Sequence, residues 1–143
     1  MEDGRFCLVQ TIPKQGQRLY QLVDWSGETK ALASKVALAE EAIYADESDP
    51  LVNWDVADVQ AGLEAAGFTI ASQQLDREKG QRRLTKGHIA RWFGEDGEGT
   101  YGRRLREAGL SEKEIEKVRT LYKRQLEEQI VGWETAVFYL LAF

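Results

Sequence analysis

The last eleven residues of the chain, 133–143, are apolar on both faces when they are placed on a β-strand. Strand alternation divides them into two opposite sets, Trp133, Thr135, Val137, Tyr139 and Leu141 against Ala136, Phe138, Leu140 and Ala142. A strand of this kind needs cover on both sides, which is typical of a strand inside a sheet flanked by helices. Because it is also the last strand in the sequence, the sheet must keep an interior position open until the chain ends.

The composition is that of one folded domain of 143 residues, with 43% hydrophobic and 30% charged residues. The formal net charge of -5 argues against a generally nucleic-acid-binding surface, although a local basic patch stays compatible with it. Cys7 is the only cysteine, and its place in the apolar run 6–9 predicts a buried small hydrophobic side chain. We recognise no signal peptide and no segment long enough for a membrane helix, so we expect a cytoplasmic protein without a membrane partner.

Hydrophobic periodicity and capping residues predict strand, two helices, strand, three helices and strand. We place the strands at 5–12, 68–75 and 133–143, with a turn at Lys79–Gly80 and residues 81–84 as an extension of the second strand. One helix spans 29–45, and the next begins at Asn53 or Asp55 and ends at Gly67 in a left-handed cap. Thr85 caps a short helix, and a capping box of Ser111 with Glu114 starts a helix that runs to about residue 130.

These elements predict a three-layer α/β fold in which helices flank a small mixed sheet. The first two strands are joined by a helical crossover, so we expect them to be parallel, with a right-handed connection. The last strand gains most from burial, so we place it between them and antiparallel to both, in the order first, last, second. The first strand is then an exposed edge and a site of self-association. It begins close to Met1, and we interpret residues 1–143 as a single domain that is a fragment of a longer chain.

The motifs of common enzyme classes are absent from the sequence. No Gly-x-x-x-x-Gly-Lys-Ser/Thr loop is present, and no Gly-x-Gly-x-x-Gly follows the first strand. One cysteine and one histidine give no support for a metal site. His88 is interpreted as a surface or half-buried packing residue rather than a catalytic base, because no nucleophile is near it in sequence. The glycine-rich run 94–102 carries acidic residues that repel phosphate, so we interpret it as a mobile loop.

Two sets of residues are candidate sites. The first follows the first strand, at the carboxyl edge where open α/β sheets bind ligands. It is a ligand pocket formed by Arg18, Tyr20, Asp24 and Trp25. The alternative is that this segment packs Leu19, Val23 and Trp25 onto the sheet.

The second candidate is a basic set that flanks the acidic loop and has aromatic neighbours, as contacts to nucleic acid require. Its members are Arg82, Arg83, Lys86, Arg91, Arg103, Arg104 and Arg106. The alternative is a solvated helix surface paired with Glu95, Asp96 and Glu98.

Several segments resemble known families. The order strand, helix, Leu-Glu-Ala-Ala-Gly-Phe at 63–68, strand and final strand resembles the C-terminal half of a class I methyltransferase. In that family the last strand inserts antiparallel between the fifth and sixth, and residues 4–9 resemble the fifth. More narrowly, residues 17–27, 40–44 and 49–55 are similar to an uncharacterised region fused behind the replication-associated recombination ATPase (RarA type) in cyanobacteria. The resemblance covers nearly the whole chain.

The resemblance implies a partial methyltransferase-like Rossmann fold and a context in DNA replication or recombination. It assigns no catalytic, cofactor-binding or metal-binding residue here, because the cofactor half and the ATPase motifs of those families would precede Met1. ATP and magnesium would belong to the parent protein, and S-adenosylmethionine to the missing half-domain.

Three functions follow as expectations. The first is a non-catalytic C-terminal accessory domain of the ATPase fusion, which packs on the missing N-terminal part and reaches DNA through the parent. The second is the substrate side of an S-adenosylmethionine-dependent methyltransferase-like enzyme. The third is weak, non-specific nucleic-acid binding through the basic set.

Overall fold

The computed structural model of the chain describes residues 4–94 and 100–143. Its strands are β1 (Phe6–Thr11), β2 (Ile70–Leu84) and β3 (Gln129–Ala142). Its α-helices are α1 (Ala33–Ala45), α2 (Val56–Ala65), α3 (Lys86–Phe93), α4 (Tyr101–Glu107) and α5 (Glu112–Leu126). Short 3-10 helices at Pro13–Gln15, Leu19–Leu22 and Gly27–Leu32 lie between β1 and α1. The predicted order of strands and α-helices is therefore confirmed for the described residues.

The three strands form one sheet in the order β1-β3-β2. β1 runs antiparallel to β3, with Phe6 opposite Ala142 and Thr11 opposite Val137. β2 is also antiparallel to β3, since the backbone N–H groups of Thr69 and Phe143 each donate to the other's carbonyl, at 2.7 and 3.0 Å. The predicted strand order and direction of the last strand are confirmed. The prediction of a mixed sheet is wrong, because the two mutually parallel strands lie on opposite sides of β3 and never pair.

Capping residues fix where the helices begin and end. Asp55 caps α2, Thr85 caps α3, and Ser111 forms the predicted capping box with Glu114 at the start of α5. Gly67 has φ +92°, the left-handed conformation that was predicted after α2.

Several predicted boundaries are wrong. α1 begins at Ala33 rather than Thr29, after a 3-10 helix, and β3 begins at Gln129 rather than Trp133. Lys79 and Gly80 do not form a turn but continue β2, because pairing with the 14-residue strand β3 overrides the local turn preference. α5 ends at Leu126 rather than near residue 130, because Glu128 adopts φ +58° and breaks the helical path. Its carboxylate accepts from the Lys86 backbone N–H at 3.1 Å and pairs with Arg83 at 2.9 Å, which stabilises this conformation.

The chain divides into two compact units. The first contains Met1–Gln17, Asp46–Gly80 and Glu134–Phe143, and the second contains Arg18–Ala45 and Gln81–Trp133. In the first unit, one face of the sheet packs on α2. Its buried members are Ile12, Ala136, Phe138, Leu140 and Ala142, and the side chains packed against them include Phe6, Leu8, Val56, Val59 and Leu63.

The opposite face of the sheet in this first unit is open. Val9 is 63% exposed and Tyr139, directly opposite it on β3, is 37% exposed. Cys7 is also exposed, so the prediction that it is a buried hydrophobic side chain is wrong. Its neighbours in sequence are apolar, but Cys7 points to the face that no helix of the described part of this unit covers. For the same reason the first unit has two layers, one of sheet and one of helix, and not the predicted three.

The second unit is mainly helical. Its core is built from α1, α3, α4 and α5, and it buries Val36, Leu84, Leu105, Val118, Leu121 and Leu126, among others. Each helix contributes residues at helical spacing, such as Ile115, Val118 and Tyr122 on α5. Phe93, Tyr101 and Tyr122 pack in mutual ring contact, with centroids 5.6–5.9 Å apart. The Tyr101 hydroxyl of this cluster contacts the one strongly buried carboxylate among the described residues, that of Glu40.

Candidate functional site

Glu40 on α1 is the centre of the most unusual arrangement in the second unit. Its side chain is only 1% exposed. The carboxylate accepts hydrogen bonds from the backbone N–H groups of Leu19 and Tyr20, at 2.6 and 3.1 Å, and from the Tyr101 hydroxyl, at 2.7 Å. The Tyr101 and Tyr122 hydroxyls lie 2.9 Å apart. One carboxylate therefore joins the 3-10 helix Leu19–Leu22 to α1 and to the aromatic cluster.

The environment shifts the proton affinities of this network. Burial raises the pKa of Glu40, and the hydrogen bonds from Tyr101, Leu19 and Tyr20 limit that rise. Burial also raises the pKa values of Tyr101 and Tyr122, and the nearby carboxylate of Glu40 adds to the rise. Both hydroxyls are therefore protonated at neutral pH, so Tyr101 can act as the donor to Glu40.

Arg18 makes a second, adjacent contact with α1. Its Nε and one terminal nitrogen donate to the two carboxylate oxygens of Glu41, at 2.9 and 3.3 Å, and its guanidinium lies 3.7 Å from the ring centroid of Tyr44. The side chain of Arg18 is 9% exposed, whereas that of Glu41 is 48% exposed. The Arg18 hydrogen bond lowers the pKa of Glu41. The Tyr20 hydroxyl donates to the same carboxylate at 3.2 Å.

The structure brings together three of the four residues predicted to form a ligand pocket. Arg18 and Tyr20 contact Glu41, and Trp25 donates from Nε1 to the Tyr20 carbonyl at 2.9 Å. Asp24 is apart from them at the surface, where its backbone N–H and C=O pair with the Gln125 side-chain amide at 2.7 and 2.9 Å. Leu19, Val23 and Trp25 pack inward, as the alternative expects, but against a core built mainly from helices and not onto the sheet.

The contacts of Glu40 and Arg18 hold the segment that follows β1 against α1, and we call the Glu40 hydrogen bonds a structural clamp. The hydrogen-bond partners of the Glu40 carboxylate are backbone amides and a tyrosine, and Arg18 is held by Glu41 and Tyr44. Our sequence reasoning missed Glu40, although a signal was present. Glu40 lies four residues after Val36, on the apolar face of α1, where an acidic residue must find buried partners.

Most members of the predicted basic set are paired with glutamates. Arg83 contacts Glu128 at 2.9 Å. Arg103 and Arg104 both contact Glu107, at 3.1 and 3.8 Å, and Arg106 pairs with Glu112. Glu95, Asp96 and Glu98, the partners named by the alternative reading, lie outside the described residues.

The other three members of that set lie on β2 and α3. Arg82 lies on β2 with its guanidinium 4.6 Å from the Trp133 ring centroid. Lys86 and Arg91 are exposed on α3, and their side chains have no ion-pair partner within residues 4–94 and 100–143. Because glutamates neutralise most of these arginines, we expect this surface to attract phosphate groups only weakly.

A groove of about 620 Å³ lies between residues 26–29 and α5 in the second unit. Lys113, Lys117 and Arg124 line it at helical spacing, but Glu28 and Glu116 line it as well. Charges of both signs face the groove, and its side chains are mostly exposed. Sequence reasoning did not single it out.

His88 is a capping residue. Its Nδ1 lies 3.0 Å from the Thr85 backbone nitrogen, which donates to it, and the Thr85 side chain accepts in return from the His88 backbone N–H. The side chain is half-buried against Trp92, with ring centroids 6.4 Å apart. This geometry agrees with the interpretation of His88 as a packing residue.

The outer edge of β1, in the first unit, is the other notable surface. The Ile12 backbone N–H donates to the Ala136 carbonyl at 2.9 Å, which fixes the even-numbered residues of β1 as the ones bonded to β3. The N–H and C=O groups of Cys7, Val9 and Thr11 therefore point away from the sheet. No strand in the described part of the chain pairs with them.

Two further observations concern residues 4–94 and 100–143 only. They contain no group of three or more His, Cys, Asp or Glu side chains placed to hold a metal ion. They also contain no helix with the length and apolar character needed to cross a bilayer. Comparison with known proteins found no family model and no curated protein that matches the sequence.

Proposed function

We propose that this chain is a non-catalytic interaction module that is contacted by a partner strand along the outer edge of β1. The observation that carries the proposal is a contrast between the two edges of the sheet. β1 contains no charged residue and no proline, whereas β2 contains Asp76, Arg77, Glu78, Lys79, Arg82 and Arg83. Folded proteins protect free edges with charges, so the uncharged edge is the one that we expect a partner to cover.

The geometry of this edge suits main-chain recognition. Cys7, Val9 and Thr11 present unpaired N–H and C=O groups in one row, which can accept an added strand. Val9 and Tyr139 offer apolar surface on the open face beside that row. The second unit supports a non-catalytic role, because its buried acid, Glu40, is held by structural hydrogen bonds.

For the biological context, we propose a C-terminal accessory domain of a replication-associated recombination ATPase of the DNA-maintenance type. The order β1-β3-β2 with an antiparallel last strand supports a partial methyltransferase-like Rossmann fold, in which the preceding half of the domain would supply the strand beside β1. In this proposal the protein is cytoplasmic. ATP and magnesium bind to the parent ATPase, and contact with DNA is made through the parent.

Hydrogen exchange tests the interaction surface directly. The amides of Cys7, Val9 and Thr11 should exchange rapidly in the 143-residue chain when it is dilute and monomeric, and at least tenfold more slowly in a chain that also carries the preceding half-domain of this proposal. The amides of Leu8 and Gln10 donate to β3 in both and serve as the internal control. Equally rapid exchange of the three edge amides in both chains would refute the proposed docking edge.

Calorimetric titration tests the non-catalytic part. We expect neither ATP nor S-adenosylmethionine to bind the 143-residue chain, because neither glycine-rich phosphate or cofactor motif is in the sequence. Stoichiometric binding of S-adenosylmethionine would favour the methyltransferase-like alternative instead.

A further inference from the structure

We propose that two copies of this chain pair through their β1 strands, antiparallel about a twofold axis that passes beside Val9. The inference rests on the proposed function in one respect, that the outer edge of β1 is the interaction surface. It adds the occupant, the direction and the register for the 143-residue chain.

The main-chain groups of β1 are self-complementary in this register. Cys7, Val9 and Thr11 are evenly spaced and all point outward, so a twofold axis beside Val9 places Val9 opposite Val9 of the second copy. The same axis places Cys7 opposite Thr11 of the second copy. Each of these three opposed pairs exchanges both backbone hydrogen bonds, as hydrogen-bonded pairs of an antiparallel ladder do. A shift of the register by one residue would place Cys7, Val9 and Thr11 opposite even-numbered residues of the second copy. The N–H and C=O groups of those residues point to β3 of their own copy, so the hydrogen bonds between the two strands could not form.

The side chains allow the same pairing. β1 has the sequence Phe-Cys-Leu-Val-Gln-Thr, so bringing two copies together opposes no like charges. Val9, which is 63% exposed, gains a second Val9 beside it on the open face. Tyr139 lies opposite Val9 within each copy, so the two apolar surfaces become continuous across the axis.

The pairing closes at two copies. Each copy uses its only uncharged edge, and the other edge, β2, carries six charged residues between Asp76 and Arg83. The product is a six-stranded sheet in which β2 forms both outer strands, a usual size for a sheet. A closed twofold dimer, and not a fibre, is therefore the expected assembly.

Sedimentation velocity between about 1 and 300 µM measures the assembly. We expect a monomer–dimer equilibrium in the wild type. The dissociation constant of the dimer should be at least tenfold higher in Val9→Lys, because this variant places two cations opposite each other at the axis. Leu51→Lys adds the same charge at another exposed apolar residue of the first unit, 78% exposed, and should dimerise like the wild type. Circular dichroism confirms that each variant is folded.

Disulfide trapping measures the register. Thr11→Cys places a cysteine opposite Cys7 of the second copy, at a Cα separation of about 5.5 Å that a disulfide spans. Under mild oxidation this variant should form covalent dimers, whereas Gln10→Cys, on the opposite face of the strand, should not. The wild type should not either, because the two Cys7 residues are offset by about 14 Å along the strand.

The outcomes separate the two proposals. A chain that stays monomeric at 300 µM, or a wild type that is efficiently trapped through Cys7 alone, overturns the dimer in this register. If the monomer still shows rapid exchange at Cys7, Val9 and Thr11, the edge is open and the interaction-module proposal stands. If these amides are protected in the monomer, the edge is already occupied and both proposals fail.

Discussion

Replacement of Glu40 by glutamine tests whether the buried carboxylate is a structural clamp. Three donors aim at its two oxygens, with Leu19 N–H on Oε1 and Tyr20 N–H and the Tyr101 hydroxyl on Oε2. Glutamine offers one oxygen and one NH₂ group. The Tyr101 hydroxyl can rotate and accept from the NH₂ group, but the two backbone N–H groups cannot both find an acceptor.

The expected loss of unfolding free energy follows from the number of donors left without an acceptor. In either orientation of the amide, at least one buried backbone N–H is left without a partner, which costs about 1–3 kcal/mol. Glu40→Ala removes the acceptors of all three donors. The Tyr101 hydroxyl can still bond to Tyr122, but two backbone N–H groups lose their acceptor, which at about 1–3 kcal/mol each should lower the free energy of unfolding by about 2–6 kcal/mol. This is a large fraction of the roughly 5–15 kcal/mol that stabilises an ordinary domain.

Urea unfolding monitored by circular dichroism and tryptophan fluorescence measures these differences. Glu116→Gln is the matched control, because it makes the same change in the same unit at a side chain that is 66% exposed and pairs with Arg119, whose side chain is 42% exposed. Loss of this exposed ion pair should change the unfolding free energy by about 0–1 kcal/mol. If Glu40→Gln is no more destabilising than Glu116→Gln, the clamp does not contribute to stability and the reasoning fails.

The pH dependence has a definite sign. Because burial raises the pKa of Glu40, the folded chain holds this proton more tightly than the unfolded chain does. This residue's contribution to stability is therefore fully present below the unfolded value near 4.5 and declines as pH rises through the raised folded pKa. The difference in unfolding free energy between wild type and Glu40→Gln should shrink over that interval. A difference that grows with pH would contradict the direction of the shift.

Two further predictions concern the first unit. Phe138→Asp should unfold the first unit, because Phe138 is 1% exposed in the centre of the sheet and its truncation alone costs about 3–5 kcal/mol before a charge is buried. The control Tyr139→Asp, on the open face of the sheet, should leave the unit folded. Two-dimensional NMR spectra of both variants test this prediction. Gly67→Ala, at φ +92°, should destabilise by about 1–2 kcal/mol, whereas Gly62→Ala inside α2 should stabilise by about 0.5–1 kcal/mol; the same sign for both in thermal unfolding would refute the assigned backbone conformations.

The sheet topology could be predicted because the residue pattern of one strand indicates that both of its faces are buried. β3 is apolar on both faces and comes last, so it had to lie between earlier strands, and the order β1-β3-β2 follows. The errors arise where a long-range partner decides the local outcome. Lys79–Gly80 is a turn sequence, but a ladder with β3 holds it extended. Cys7 has apolar neighbours, but its exposure depends on whether a helix covers that face.

The site was predicted less well than the fold, for a physical reason. Arg18, Tyr20 and Trp25 were selected by their position after β1, and they do meet around α1. What the segment alone does not reveal is that its donors bond to Glu40 and Glu41 of α1. Hydrogen bonding of a buried acid to backbone amides leaves almost no mark in sequence, except for an acidic residue on an apolar helix face.

The same comparison explains why recognition should take place through the main chain. In the second unit, the buried charged side chains are engaged with neighbouring groups, as for Glu40 with Tyr101 and for Arg18 with Glu41. In the first unit, both backbone hydrogen-bonding groups of Cys7, Val9 and Thr11 point away from β3 and pair with no strand of residues 4–94 and 100–143. Unused backbone groups beside apolar surface form a stronger attachment point than paired surface charges, because the latter must break existing ion pairs to bind. This contrast supports the proposal that a partner contacts the chain at the edge of β1.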